Sequence, residues 1–475
     1  MNYAPFYADI SRAVSFFGSI PKNERIKIVS HLDTDGICAG SIMGSALGRM
    51  GRKYAVSILP QLDKKHILEI SRENYAAVIF TDLGSGSAGD IAEILKDKKV
   101  IILDHHHVKS SPAEKDANLM HVNPHLNSIN GSVDISGAGV VLEFARTLDK
   151  QNEELSHLAV IGAIGDCQEH NGFSGLNKDI LALAEKKGLI KTISGLRMFG
   201  AQTKPLHKLL EYSFEPYIPD VTGTESGAIQ FLKSLNINPL LGKSYKKLIH
   251  LTDEEMKRLV AGIIMKRGEL KEPESIIGNV YILPSEEEGP FRDAKEFSTV
   301  LNSCGRMGRA GIGIGACLGD ENMKKKAIKS LAEYKKELVT AIRWFETTKS
   351  QREIIRKDKY IIINAGYNII PSIAGTLASI ISRNNDTAKG TIIISMARTE
   401  DRQTKISVRI ALGNEKSSDF DMRKIAGALA KKVGGQSGGH QNAAGAIIMS
   451  SKENEFIEYA KEYLGRILME ERIIC

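Results

Sequence analysis

The sequence predicts an α/β protein: a doubly wound parallel-sheet domain at the N-terminus, a mostly helical middle segment, a long connecting helix and a smaller α/β C-terminal domain. Three observations carry this reading. Short apolar runs alternate with helical patterns through the first 170 residues, apolar residues recur at helical spacing between Ala327 and Phe345, and a second series of apolar runs begins after Lys359. Short continuous runs fit strands buried on both faces, whereas a 3.6-residue period marks a helix with one buried stripe. The 475 residues, 25% charged and 42% hydrophobic, are of ordinary globular composition and too many for one core, so two or three domains are expected.

Runs at 26–30, 54–59, 77–81 and 100–103 are the expected strands of the first domain, residues 1–175, with helices between them. Functional groups in such folds gather beyond the carboxyl ends of the strands, and three of these four runs are followed by carboxylates or histidines. Residues 176–320 read as mostly helical and complete the N-terminal lobe. Within them, Thr252-Asp253-Glu254-Glu255 is a capping box that opens a helix through Leu259, Ile263 and Ile264. The glycine-dense stretch 305–319 reads as strand and turn. Ala327, Leu331, Tyr334, Leu338, Ile342 and Phe345 follow at spacings of 4, 3, 4, 4 and 3, one face of a connecting helix at 321–350 with lysines on its other side. Residues 351–475 form the last domain, with strands at 360–363, 391–395 and 406–410, a glycine-rich loop and a terminal helix.

No apolar run approaches the roughly 20 residues needed to cross a bilayer, and the first residues lack a basic stretch followed by an apolar one, so a cytoplasmic protein is expected. Cys38, Cys167, Cys304, Cys317 and Cys475 form no CxxC pair, which signals neither a disulfide framework nor a thiolate zinc site. The net charge of +7 divides unevenly. Residues 321–475 carry 27 Lys and Arg against 18 Asp and Glu, a formal +9, whereas residues 1–320 carry 37 against 39, or −2. A basic module beside a slightly acidic one suits a polyanion held by one and processed by the other; a solvated lysine-rich surface also fits.

Chemistry concentrates after the strands. In His31-Leu32-Asp33-Thr34-Asp35-Gly36, alternation along an extended segment turns positions 31, 33 and 35 to one side. Asp82 follows the third run and Asp104-His105-His106-His107 the fourth, while Asp166 ends the apolar run 158–165. Singly, each aspartate also fits a helix cap. Together, Asp33, Asp35, Asp82, Asp104 and Asp166 with His31, His105 and His106 would repel unless a cation neutralised them. Oxygen ligands with a few imidazoles suit Mn²⁺ or Mg²⁺, and there are ligands enough for two ions roughly 4 Å apart, the arrangement that clamps the attacking and leaving oxygens of a phosphoryl displacement.

These residues resemble the four motifs of the DHH phosphoesterase superfamily, with every metal-binding position present. Gly438-Gly439-His440-Gln441-Asn442-Ala443-Ala444-Gly445 resembles the GGHxxAAG signature of the DHH-associated C-terminal domain. The length and the middle segment, including Asn302-Ser303-Cys304-Gly305-Arg306-Met307-Gly308, are similar to the archaeal RecJ-like nucleases, among them the GINS-associated nuclease. The resemblance implies His31, Asp33 and Asp82 around one ion and Asp35, Asp82, His105 and Asp166 around the other, with Asp82 bridging. It further implies that Asp104 orients its neighbouring histidines and that His106 acts at the scissile phosphate, stabilising charge or protonating the leaving oxygen.

For substrate, the glycines of 434–439 permit close backbone approach to a phosphate or terminal nucleotide, with His440 as an adjacent donor. Arg409 resembles the family's substrate-contacting arginine, and Arg398 is a further candidate from its position. Arg306, with Arg309, either grips a backbone phosphate or flanks a turn. Ser136-Gly137-Ala138-Gly139 opens an apolar helix whose N–H groups could meet phosphate or whose glycines could serve close packing. Gly242-Lys243-Ser244 is no P-loop, since Ile237 stands where glycine is required, and Gly311-Ile312-Gly313-Ile314-Gly315 lacks the third glycine of a dinucleotide fingerprint.

The expected function is a two-metal exonuclease on single-stranded DNA or RNA, in replication or repair, with the helicase-linked GINS complex as an expected partner. Alternatives are a phosphodiesterase for short oligonucleotides or cyclic dinucleotides, and, in another class, a non-catalytic scaffold of the replicative helicase.

Overall fold

A computed structural model describes residues 2–108, 117–169, 172–213, 217–268, 273–348, 352–384, 387–412 and 420–474. It divides into two units, Met1–Leu331 and Ala332–Cys475.

The first unit is built on a parallel sheet of β1 (Ile26–His31), β2 (Tyr54–Leu59), β3 (Ala77–Thr81), β4 (Lys99–Leu103) and β5 (Leu119–Val122), in the order β2-β1-β3-β4-β5. After β1 the chain places β2 on one side, then crosses to place β3 on the other. The carboxyl ends of β1 and β3 therefore flank the switch point, where open α/β sheets have their crevice. Alternate residues feed two cores: Ile28, Ile79 and Ile101 pack on one face with Phe6, Phe17 and Phe144, and Val29, Phe80 and Ile102 pack on the other with Ile67 and Ile91. Burial on both faces explains why these strands read as unbroken apolar runs.

The helix Thr34–Arg49 lies almost wholly inside, buried on nearly every face. Its small residues allow this: a Cβ on Gly44 would stand 3.3 Å from the Tyr54 ring. It packs beside the helices Gly137–Leu148 and Ser156–Gly165.

In the middle segment, β6 (Lys191–Leu196) leads into the helices Leu206–Glu211 and Glu225–Ser234, the short hairpin of β7 (Leu240–Leu241) and β8 (Ser244–Tyr245), and the helix Asp253–Lys266. The chain returns through β9 (Ile277–Ile282), antiparallel to β6. Leu209, Leu210, Phe231, Leu232, Leu259 and Ile263 make a core of their own here. The capping box is formed: Glu255 N–H donates to Thr252 Oγ1 at 3.2 Å, and Thr252 N–H donates to Glu255 Oε2 at 3.0 Å.

The stretch 305–319, expected as strand and turn, is instead the end of the helix Ala294–Arg306 followed by the helix Ala310–Cys317. Its glycines serve close packing. A Cβ on Gly305 would meet Leu32 O at 1.6 Å, and one on Gly313 would meet the Ile37 side chain at 3.2 Å. The connecting helix spans Glu321–Thr347, with Ala327 and Leu331 buried in the first core.

The second unit is a sheet in the order β10-β11-β12-β13-β15-β14, comprising β10 (Ile354–Lys357), β11 (Tyr360–Asn364), β12 (Ile392–Arg398), β13 (Gln403–Ile410), β14 (Gln436–His440) and β15 (Ala443–Met449). Only β11 and β12 pair in parallel. Ile362, Ile394, Ile406 and Val408 pack under the helices Met422–Lys432 and Glu453–Ile474 through Leu429, Phe456 and Leu464. The expected glycine loop is largely strand: residues 436–440 are the edge strand β14, and only 434–435 form the turn before it. Among the described residues no helix is long and apolar enough to cross a membrane.

Candidate metal centre

Four chain segments deliver ionisable groups to the switch point. At the end of β1, Asp33 caps the following helix by accepting Gly36 N–H at 3.1 Å. The extended alternation stops there. Asp35 reaches the same volume from the first helical turn, fully buried. After β3, Asp82 takes φ 58°, a left-handed turn. After β4, Asp104 accepts Ser85 N–H at Oδ2 (2.9 Å) and, at Oδ1, His105 N–H (2.8 Å), His106 N–H (3.2 Å) and His106 Nδ1 (2.8 Å). Asp166 comes from the C-terminal cap of the helix Ser156–Gly165 rather than from a strand end.

The groups meet closely. His105 Nε2 stands 3.3 Å from Asp82 Oδ1, 3.2 Å from Asp166 Oδ2 and 3.8 Å from Asp35 Oδ2. His31 Nδ1 stands 2.9 Å from Asp33 Oδ2 and 3.7 Å from Asp82 Oδ2. His106 Nδ1 is 3.9 Å from Asp82 Oδ1. Among the described residues, three sets have donor atoms all within 4.8 Å of one another: His31, Asp33 and Asp82; Asp35, His105 and Asp166; and Asp82, His105 and His106. Asp82 and His105 are thus common to neighbouring sets.

The electrostatics are those of a crowded anionic site. Burial, then repulsion from Asp82 and Asp166, holds the Asp35 carboxyl well above its ordinary range. Burial, with Asp33 and Asp82 adding to it, raises Asp166 to about 6 against the pull of His105. Burial opposes charge on His31 and His105, yet their aspartate neighbours raise both imidazoles well above the usual histidine value. Asp33 and Asp104 go the other way: burial works against their charge, but His31 holds the first below the carboxylate range and His106 the second.

Both oxygens of Asp82, His105 Nε2 and His31 Nδ1 are buried without a hydrogen-bond partner. Unpaired buried acceptors are costly, and a divalent cation is the group that satisfies them together. All are oxygen or imidazole donors, a set that fits Mn²⁺ or Mg²⁺.

The helix Gly137–Leu148, considered for phosphate, spends its N-terminus on Asp35: Gly137 N–H donates to Oδ2 at 2.6 Å and Ala138 N–H to Oδ1 at 3.1 Å. Gly137 is needed as glycine, since a Cβ would stand 2.3 Å from Asp82 Oδ1. Sequence reasoning missed Ser85, which nothing in its neighbourhood marks. Its N–H fixes Asp104, and its Oγ accepts from Asn123 Nδ2 at 2.8 Å, while the same Nδ2 donates to His106 O at 2.8 Å.

Arg306 ends the helix whose Gly305 rests on Leu32 O, beside the first motif. In the second unit, Arg409 is in register with Ala443, and Ala443 with His440, so these positions form one row across β13, β15 and β14. The Arg409 guanidinium donates to Ser379 Oγ (3.0 Å) and Ala444 O (3.2 Å). Gly438 and Gly439 lie on β14; Gly439 has φ 132°, and its Cβ would strike Ala443 O at 2.6 Å. The His440 side chain lies outside the described residues. Arg398 is committed elsewhere, with both ends of its fork on Glu453 at 2.9 and 2.6 Å.

Comparison with known proteins follows this division. Residues 25–165 match the DHH family N-terminal domain, 198–277 the DHH-CID domain and 357–466 the DHHA1 domain. An uncharacterized protein of Methanocaldococcus jannaschii is 31% identical over 451 residues, 93% of this chain and 94% of that one. Among solved structures, RecJ of Thermus thermophilus in complex with Mn²⁺ gives a TM-score of 0.58 at 14% identity; the match covers 96% of this chain and 55% of RecJ, so this chain spans about half of that relative's length. CDC45 of Entamoeba histolytica gives 0.64 at 12% identity, over 96% of this chain and 98% of that one. At such identities the likeness is one of fold.

Proposed function

From the premise that this chain belongs to the DHH family, whose members are usually metal-dependent phosphoesterases, we propose that it is a two-metal exonuclease acting on single-stranded DNA or RNA. The observation that carries the reading is the set of buried, unpaired Asp82 oxygens and His105 Nε2 amid Asp33, Asp35, Asp166 and His31. In this reading His31, Asp33 and Asp82 hold one ion and Asp35, Asp82, His105 and Asp166 the other. Bound there, Mn²⁺ or Mg²⁺ would supply Lewis-acid polarisation of the phosphodiester and a water activated at neutral pH. RecJ of Thermus thermophilus has been solved with each of these ions.

The protein's own groups do the rest. His106, whose side chain is 34% exposed, is the cluster's outermost imidazole with a fixed ring. Asp104 orients it through Nδ1, and Ser85 and Asn123 brace Asp104 and the His106 backbone. In this reading its remaining nitrogen donates to the phosphate or protonates the leaving oxygen. Arg409 and the Gly438-Gly439-His440 strand are the proposed substrate contacts, with Arg306 beside the first motif as another. Arg398, paired with Glu453, is the weaker member of that set.

The decisive experiment is digestion of 5′- and 3′-labelled single-stranded DNA and RNA of equal length with and without Mn²⁺. Metal-dependent shortening from one end is expected, and Asp82→Ala should abolish it. A length series separates this reading from one in which only short oligonucleotides or cyclic dinucleotides are cut. The second reading, a replication scaffold that binds GINS, draws on the likeness to CDC45 over nearly the whole of both chains. It predicts co-purification with GINS and no hydrolysis; the full ligand set favours catalysis.

A further inference from the structure

We infer that Gln168 and Asn177 are positioning residues, two buried carboxamides that lock Asp35, His105 and Asp166, the three groups of one ion set, into their mutual placement. The inference rests on the metal-centre reading above.

The bonds between them run in one direction only. Asn177, 2% exposed, accepts Ser136 N–H at Oδ1 (3.3 Å), so its Nδ2 is the donor, and it donates to Gln168 Oε1 at 2.7 Å. Gln168, also 2% exposed, must then present Nε2 to the cluster; that nitrogen donates to Gly131 O at 2.9 Å and lies 3.4 Å from His105 Nδ1. Gly131 O is also the partner of His105 Nδ1, at 2.6 Å. A carbonyl can only accept, so Nδ1 carries a proton, and Nε2 is the nitrogen that faces Asp82, Asp166 and Asp35 and is left to meet an ion.

Each end of this relay touches another ligand of the same set. Ser136 is the N-cap of the helix whose next two N–H groups hold Asp35. Gln168 follows Asp166 by two residues, across Cys167 at φ 57°. Asn177 also fixes the loop between them: its N–H donates to Asp134 O at 2.8 Å and its Nδ2 reaches Val133 O at 3.3 Å. The loop carrying the Gly131 carbonyl and the Ser136 cap is thus held from the far side by two side chains that themselves offer nothing to an ion. An apolar residue at either position would fill the space and leave the carbonyl free to swing.

The test uses the full-length chain, stripped of metal, with the shape-conserving variants Gln168→Met and Asn177→Asp. Mn²⁺ affinity is measured by calorimetry, and the Nδ1–H···O=C bond of His105 to Gly131 is followed by ¹H–¹⁵N spectra of histidine-labelled, metal-free protein. The expected result is one slowly exchanging, hydrogen-bonded His105 Nδ1–H resonance in the parent and its loss or broadening in the variants, with Mn²⁺ affinity lowered roughly ten- to hundredfold. Activity at saturating Mn²⁺ should recover to near the parent's, which a merely structural lesion would not allow. Variants that melt like the parent and keep both that resonance and its Mn²⁺ affinity would overturn the relay. If the parent itself takes up no Mn²⁺, the metal reading fails, while the Nδ1–H comparison still decides the relay. Should Gln168→Met not fold, Asn177→Asp is read by the same two measurements.

Discussion

Asp82 holds a left-handed backbone conformation with both oxygens buried and unpaired, an arrangement that the surrounding structure must enforce. Asn tolerates that conformation and keeps the shape, so Asp82→Asn should fold. Hydrolysis should fall at least about a thousandfold, and Mn²⁺ affinity should fall with it. Retained activity would remove Asp82 from the centre. The pH dependence of the metal-free cluster has a definite sign. Asp35 and Asp166 are raised above ordinary carboxyls, Asp166 to about 6, and His31 and His105 above ordinary histidine. From about pH 4 to 8 these four groups therefore hold more protons folded than unfolded, and the cluster's contribution to stability falls as pH rises, whereas His121, His125, His157 and His207, all held down by burial, contribute in the opposite sense. Asp33 and Asp104 shift the opposite way but titrate below this window. In chelator the parent should lose stability relative to Asp166→Asn between pH 5 and pH 8, by at most about 3 kcal/mol, and saturating Mn²⁺ should remove that loss. At this scale the candidate ligands were legible because their chemistry is written in residue type. Ser85, Gln168 and Asn177 were not, because a side chain that braces another reads like any buried polar residue.

The centre owes its geometry to elements packed unusually close. Gly137 admits the Asp82 carboxylate at the mouth of its helix, and Gly305 admits Leu32 O against another. Gly137→Ala should displace Asp82 and lower Mn²⁺ affinity at least about tenfold with little change in melting, whereas Gly305→Ala, colliding with backbone rather than a side chain, should destabilise the first unit by roughly 2–4 kcal/mol. Calorimetry and thermal melts separate the two; equal effects on stability would show that Gly137 is a packing glycine only. These positions also explain where the sequence misled. Glycine density at 305–319 suggests turns, but helices tolerate glycine when close contact compensates the propensity cost, and that partner lies far away in sequence. The run 434–439 misled in the same way, since an edge strand with little side-chain burial has no apolar alternation to reveal it. By contrast, β1, β3, β4 and the connecting helix were legible because burial imposes their periodicity directly.

Across the whole chain, charge divides into −2 over residues 1–320 and +9 over residues 321–475. The first figure leaves out what the centre would gain: two divalent ions would turn the carboxylate-rich unit into one able to receive a phosphate. The second could be nothing more than a solvated surface, and a binding experiment tells the two apart. With metal withheld, the proposed hydrolysis is switched off, so binding of a labelled single strand can be followed by fluorescence anisotropy as salt is raised. If the basic unit grips the backbone through about five phosphates, log Kd should rise with log salt at a slope of roughly 3.5, which is about a hundredfold loss between 50 and 200 mM. Arg409→Ala should lower that slope by about 1 and weaken binding to every sequence alike, as a phosphate contact does. A slope near zero would mean that the excess of lysine and arginine serves only solubility, and the polyanion reading of the second unit would then rest on its Gly438-Gly439-His440 strand alone.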